Sequence, residues 1–117
     1  MKALNFYSAV YHANLIAREK RCTIRLGDKS GKYAEGDIVW VTYGNRFEPR
    51  RKVFAAVIDR VDVKTVRELS HRDIRSENPD MQSIQDVVRF LETIYGRTVT
   101  PDTTVSVIYF SPIVEEG

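Results

Sequence analysis

The sequence holds few of the residues that build metal and disulfide sites: one cysteine, Cys22, and two histidines, His12 and His71. A lone cysteine closes no intramolecular disulfide, which fits a reducing cytoplasm. The same scarcity argues against a zinc site of the usual spacing. No apolar run approaches the ~18 residues that a membrane helix needs. After Met1-Lys2 the apolar positions are interrupted by Asn5, His12 and Asn14, unlike the continuous stretch of a secretory signal. The expectation is a cytoplasmic chain without a membrane partner. Charge of one sign is also lacking: 18 basic against 16 acidic residues leave a net +2. Composition by itself therefore does not mark a nucleic-acid binder. There is no G-x-S-x-G elbow, no G-x-x-x-x-G-K-[ST] phosphate loop and no H-E-x-x-H. Asp28 and Asp37 flank turn glycines without forming a calcium loop.

What is there suffices for a single core. The 117 residues are 43% hydrophobic and 29% charged, an ordinary composition for one domain. Residues 1–113 are expected to form it, with 114–117 as a frayed tail. From about Phe6 to Glu19 the spacing is helical, with Phe6, Val10, Ala13 and Ala17 on one face and Ala9 and Ile16 beside them. The period then changes to two. Cys22-Thr23-Ile24-Arg25-Leu26 alternates and ends in the turn residues Gly27 to Gly31, so it reads as a strand. Asp37 to Tyr43 reads as a second strand, apolar on both faces, as in a doubly covered sheet. It is joined through Gly44 to Pro49 to a long third strand, Lys52 to Val63.

Thr65 to Ser76 reads as short helix or turn, and Asn78-Pro79-Asp80 breaks it. Ser83-Ile84-Gln85-Asp86 resembles a capping box before the clearest helix, striped by Ile84, Val87, Val88, Leu91, Ile94 and Tyr95 and ended by Gly96. A last strand covers about Thr103 to Phe110. Helix, three strands, helices and a strand make an α+β domain with a mainly antiparallel, curved sheet.

Chemistry concentrates at Arg18-Glu19-Lys20-Arg21-Cys22-Thr23-Ile24-Arg25. These eight residues hold four cations and one anion, a local +3. Thr23 and Arg25, two apart on a strand, share a face, and Lys20 can fold back toward it. One reading is a solvated basic helix end followed by an ordinary strand threonine. The other is a nucleophile with its base: a threonine hydroxyl reacts when a neutral lysine takes its proton. Burial and nearby arginines push a lysine pKa down and a helix C-terminus pushes it up, and the sequence leaves that balance open. Alternation places Cys22 with Ile24 and Leu26 on the apolar side, as an inert buried thiol. His12 and His71 read as structural. Glu77, before Asn78-Pro79, reads by itself as an exposed loop glutamate near Arg72 or Arg75.

The run from Ile16 to Arg25, then Gly36-Asp37-Ile38-Val39-Trp40-Val41, is similar to the signature of the ASCH domain family. The likeness continues through Leu69-Ser70-His71, Ser76-Glu77-Asn78, the 84–96 helix and the last strand. It implies a PUA-like fold, a small curved β-barrel with flanking helices. Within the family the sequence most resembles the small bacterial N4-acetylcytidine amidohydrolases. That resemblance implies removal of the acyl group from the exocyclic N4 of N4-acetylcytidine to give cytidine and acetate. Lys20 would be the base, Thr23 the nucleophile and Glu77 the acid, with Arg25 on substrate polar groups and no cofactor. Arg18 stands where the family usually has glycine, and Pro79-Asp80 lengthens the segment after Glu77-Asn78. The alternative is an RNA-binding module of the same fold. Its cations would be those of 18–25 with Arg46, Arg50, Arg51 and Lys52, and its stacking residues Trp40, Tyr43 and Phe47. Those aromatics read equally as barrel core.

Overall fold

Strand alternation and helix caps account for most of the architecture. The computed structural model describes residues 1–6, 19–44 and 48–114. The strands are β1 (Ala3–Phe6), β2 (Cys22–Leu26), β3 (Ile38–Tyr43), β4 (Arg51–Thr65) and β5 (Thr104–Pro112), in sheet order β1-β3-β4-β5-β2. β1 runs parallel to β3 and every other pair is antiparallel. Between β4 and β5 lie a 3-10 turn (Val66–Glu68) and the helices α1 (His71–Glu77) and α2 (Ile84–Tyr95). The result is an α+β half-barrel with its helices against one face.

β1 differs from the sequence expectation, which began a helix at Phe6. Leu4 and Phe6 are buried and alternate with half-buried Ala3 and Asn5, and Phe6 pairs with Tyr43. Glu19 lies in coil, and the rest of the expected helix, 7–18, falls outside the described residues. The β3–β4 hairpin is as expected, with an irregularity at Val41/Thr42 that shifts its register. β3 is not covered on both sides. Val39 and Val41 are fully buried, whereas Ile38 is 51% exposed. The doubly covered strand is β5, whose two faces belong to two different cores. Its Ile108 and Phe110 join Leu4, Phe6, Val39, Val41, Phe54 and Ile58 on one side. Its Val105 and Val107 join Cys22, Ile24, Ile74, Val87 and Leu91 under the helices.

The caps set the helices. Ser70 and Ser83 each accept a hydrogen bond from the N–H three residues on, from Asp73 and Asp86, whose carboxylates bond back. Gly96 ends α2 in the left-handed region at φ 65°, where a Cβ would be strained. α2 buries Val87 and Leu91, as its stripe predicts. α1 is pinned to the sheet by Asp73, which takes the Tyr109 hydroxyl on Oδ1 at 2.5 Å and Lys64 Nζ on Oδ2 at 3.0 Å. Val114 is 81% exposed and 115–117 lie outside the described residues. No helix among the described residues is long and apolar enough to cross a membrane.

Two outcomes follow. Ser83→Ala removes an N-cap and lowers unfolding free energy by about 1 kcal/mol, read from urea denaturation with an unchanged m-value. The Tyr109, Lys64 and backbone hydrogen bonds hold the Asp73 pKa below its usual value despite burial. A depressed carboxylate contributes stability above its unfolded pKa and loses it as pH falls through the folded one. The stability advantage of the native protein over Asp73→Asn is therefore full near pH 6, and shrinks as urea titrations are repeated below about pH 4.

Candidate active site

The basic cluster at the start of β2 divides by strand geometry. Arg21 stays in solvent, while Lys20, 4% exposed, and half-buried Arg25 turn inward. Cys22, Ile24 and Leu26 face the helices. Thr23 and Arg25 face the other way, and Arg25 Nε donates to Thr23 Oγ1 at 2.9 Å. The guanidinium also donates through Nη2 to the Asn5 carbonyl at 2.9 Å.

Lys20 precedes β2 and folds back along it. Its Nζ donates to the Cys22 carbonyl at 2.6 Å, the Glu77 carbonyl at 2.6 Å and Glu77 Oε1 at 3.0 Å. Glu77 ends α1, where Asn78 caps the helix by donating its N–H to the Ile74 carbonyl. The other carboxylate oxygen, Oε2, accepts the Ile24 N–H at 2.6 Å. β2 is an edge strand, so this side chain satisfies a backbone donor that no neighbouring strand reaches. The expectation of an exposed loop glutamate, read from Glu77 alone, is thus corrected: Glu77 is 3% exposed, because the helix cap turns it onto β2. Lys20 and Glu77, 57 residues apart in sequence, are thus in contact, and Glu77 also bonds the backbone of Ile24, the residue after Thr23.

Burial decides the balance that the sequence leaves open for the amine. Desolvation pulls the Lys20 pKa below its ordinary value, with a smaller push from Arg25, and outweighs the stabilising charge and hydrogen bond of Glu77. Lys20 gives three hydrogen bonds to Cys22 and Glu77, and none to Thr23 among the described residues. Among the described residues it is Arg25, not Lys20, that bonds the Thr23 hydroxyl. Since Oγ1 accepts from Arg25, the hydroxyl proton points elsewhere.

β1 supplies what sequence reasoning missed. Phe6 lies with its ring centroid 5.7 Å from Lys20 Nζ and 4.8 Å from the Arg25 guanidinium carbon. Asn5 ties this corner to the hairpin: Thr42 Oγ1 donates to its Oδ1 at 2.8 Å, and its Nδ2 donates to the Gly44 carbonyl at 3.2 Å. The alternation of Leu4 and Phe6 around Asn5 was the available signal, masked by the helical spacing that follows.

The remaining candidates separate cleanly. Cys22 is fully buried and its thiol is pushed up to about 12 by burial and by Glu77, as an inert thiol requires. His71 is exposed at the start of α1, and His12 lies outside the described residues. Asp28 and Asp37 organise turns through Ser30 and Ala34. Of the residues considered for RNA, Arg50, Arg51 and Lys52 are exposed, and Lys52 Nζ sits 4.6 Å from the Trp40 ring centroid. Trp40 and Tyr43 are half-buried, and Arg18, Arg46 and Phe47 lie outside the described residues. Native protein treated with iodoacetamide at pH 8 leaves Cys22 unmodified, whereas urea-unfolded protein is alkylated completely, as mass spectrometry will show.

No family model and no curated protein matches the sequence. Solved structures resemble the fold. An ASCH domain from Lactobacillus crispatus aligns with a TM-score of 0.65 at 18% identity, over 95% of this chain and 78% of that one. The hypothetical protein PH0355 aligns with a TM-score of 0.64 at 19% identity, over 97% of this chain and all of that one. Protein EF3133 from Enterococcus faecalis gives a TM-score of 0.62 at 14% identity, over 86% and 68%. The architecture of this chain is that of an ASCH domain, a PUA-like fold.

Proposed function

We propose that the protein is an amidohydrolase that removes the acyl group from the exocyclic N4 of N4-acetylcytidine, releasing cytidine and acetate. The observation that supports this reading is the buried contact between Lys20 and Glu77, 3.0 Å apart and bonded to the backbone of Cys22 and Ile24 on either side of Thr23. A base and an acid are needed in their uncharged forms, as amine and as carboxylic acid. Moving one proton across that contact, from Nζ to Oε1, converts the ion pair to both at once without a change in total charge. On the lysine side, desolvation by burial works against the ammonium and toward the amine.

The chemistry then runs in two halves. Thr23 Oγ attacks the acyl carbon while its proton passes to Lys20 Nζ, after a small reorientation of the amine toward the hydroxyl. Apo geometry commonly leaves such contacts to tighten with substrate bound. The oxyanion forms beside the Arg25 guanidinium, a fixed cation already aimed at Oγ1. The C–N4 bond breaks as Glu77 gives its proton to the departing amine, leaving an acetyl ester on Thr23. The proton on Nζ returns to Oε1 and frees the amine again. Water attacks the ester as it loses a proton to Nζ, the bond to Thr23 Oγ breaks as Oγ takes that proton back, and acetic acid leaves as acetate. The small-molecule nucleoside is thus the partner, and no cofactor enters a step.

Purified protein incubated with N4-acetylcytidine should yield cytidine by chromatography. Thr23→Ala should lower kcat by at least roughly a thousandfold, as loss of a nucleophile does, while leaving the buried Lys20–Glu77 pair in place and costing about 1 kcal/mol for the lost Arg25 hydrogen bond. Glu77→Gln and Lys20→Met should abolish turnover and also destabilise by about 3–5 kcal/mol, since each strands a buried partner. Absence of turnover, together with RNA binding that weakens steeply between 50 and 200 mM salt, overturns the proposal in favour of a binding module.

A further inference from the structure

One aromatic ring is shared by both cations of the site. Phe6 is 4% exposed and fixed by its backbone: it pairs with Tyr43 in the parallel β1–β3 ladder, and its carbonyl accepts the Gly44 N–H at 3.0 Å. Its ring packs against Phe110, with centroids 6.1 Å apart. A ring held on several sides cannot follow a moving partner, so the partners adjust to it. Lys20 Nζ and the Arg25 guanidinium carbon approach its centroid within 5.7 and 4.8 Å. A cation within about 6 Å of a ring centroid is attracted by the negative face, and the attraction grows when water is excluded. Buried Lys20 and half-buried Arg25 repel each other, and the ring attracts both.

We propose that Phe6 is a positioning residue of this site: its ring, approached by the Lys20 ammonium and the Arg25 guanidinium together, fixes where both cations stand beside Thr23. The inference rests on the proposed function for its catalytic consequence, but not for its physical content. Among the described residues, the groups facing Lys20 are Glu77 on α1, Cys22 and Arg25 on β2, and Phe6 on β1. Of these, only the Phe6 ring attracts the ammonium through a face whose charge distribution can be altered at constant shape. Weakening that face removes support for the charged amine, so the Lys20 pKa falls further. Arg25 loses the surface that directs its Nε toward Thr23.

The test replaces Phe6 by pentafluorophenylalanine, which keeps the ring's shape and reverses the polarity of its face, and in parallel makes Phe6→Leu. Lys20 is followed by NMR of its labelled side chain over a pH titration, in the absence of any substrate. The expected result is a midpoint shifted down by about half a pH unit in the fluorinated protein, a roughly threefold change in the deprotonated fraction at fixed pH. Melting temperature should be nearly unchanged. Against N4-acetylcytidine, kcat should fall roughly threefold to tenfold with KM held, and the basic-group limb of the pH profile should move to lower pH by the same half unit. Phe6→Leu should reproduce the NMR shift, if it folds. An unchanged Lys20 midpoint in folded fluorinated protein overturns the inference, whatever the activity. Failure of the substrate assay with a shifted midpoint leaves the positioning role standing and rejects only the proposed function.

Discussion

The buried contact of Lys20 with Glu77 is the constraint on which the site depends. Both side chains have left water, and among the described residues each is stabilised by the other and by backbone: the Cys22 and Glu77 carbonyls on one side, the Ile24 N–H on the other. An isolated buried ion would cost several kcal/mol, and these partners offset that cost. It joins the start of β2 to the last residue of α1. It also sets the protonation problem, because the desolvation that strains the ion pair is what makes a neutral amine attainable.

The fold arranges this by putting its two cores on opposite sides of β5. The helical core orients α1, with Ile74 buried and Asp73 anchored on Tyr109 one turn before Glu77. The other core presents β1, and with it Phe6 and Asn5. The polar side chains meet where β2 lies between these two hydrophobic masses. Tyr109 has its own cost, since burial and the Asp73 charge raise its pKa, so it acts as a neutral hydrogen-bond donor at any ordinary pH.

Much of this was legible in the chain. The alternation of 22–26 placed Thr23 and Arg25 on one face, and the capping residues Ser83 and Gly96 bounded α2 as written. These signals are local, encoded by neighbours two to four positions apart. The environment of Glu77 was not legible from its own surroundings, because its partners lie on β2, reached only through tertiary packing. β1 was lost for a different reason: a four-residue strand contains too few alternations to compete with the helical spacing downstream. The two-sided burial expected of β3 belongs to β5 instead, since apolar residues on both faces do not say which strand the topology will put in the middle. The roles given to Lys20, Thr23 and Glu77 came from family resemblance, and the solved structures that resemble this chain share its fold at 14–19% identity.

The hydrogen bond from Ile24 to Glu77 Oε2 has a consequence beyond chemistry. An outermost strand with unoccupied amides invites another chain to dock against it, and such docking is how sheets begin to polymerise. Here the carboxylate plugs that opening in the middle of β2. A variant that discards this side chain would unmask an adhesive margin. Selection against clumping would therefore retain an acceptor at position 77 on structural grounds alone.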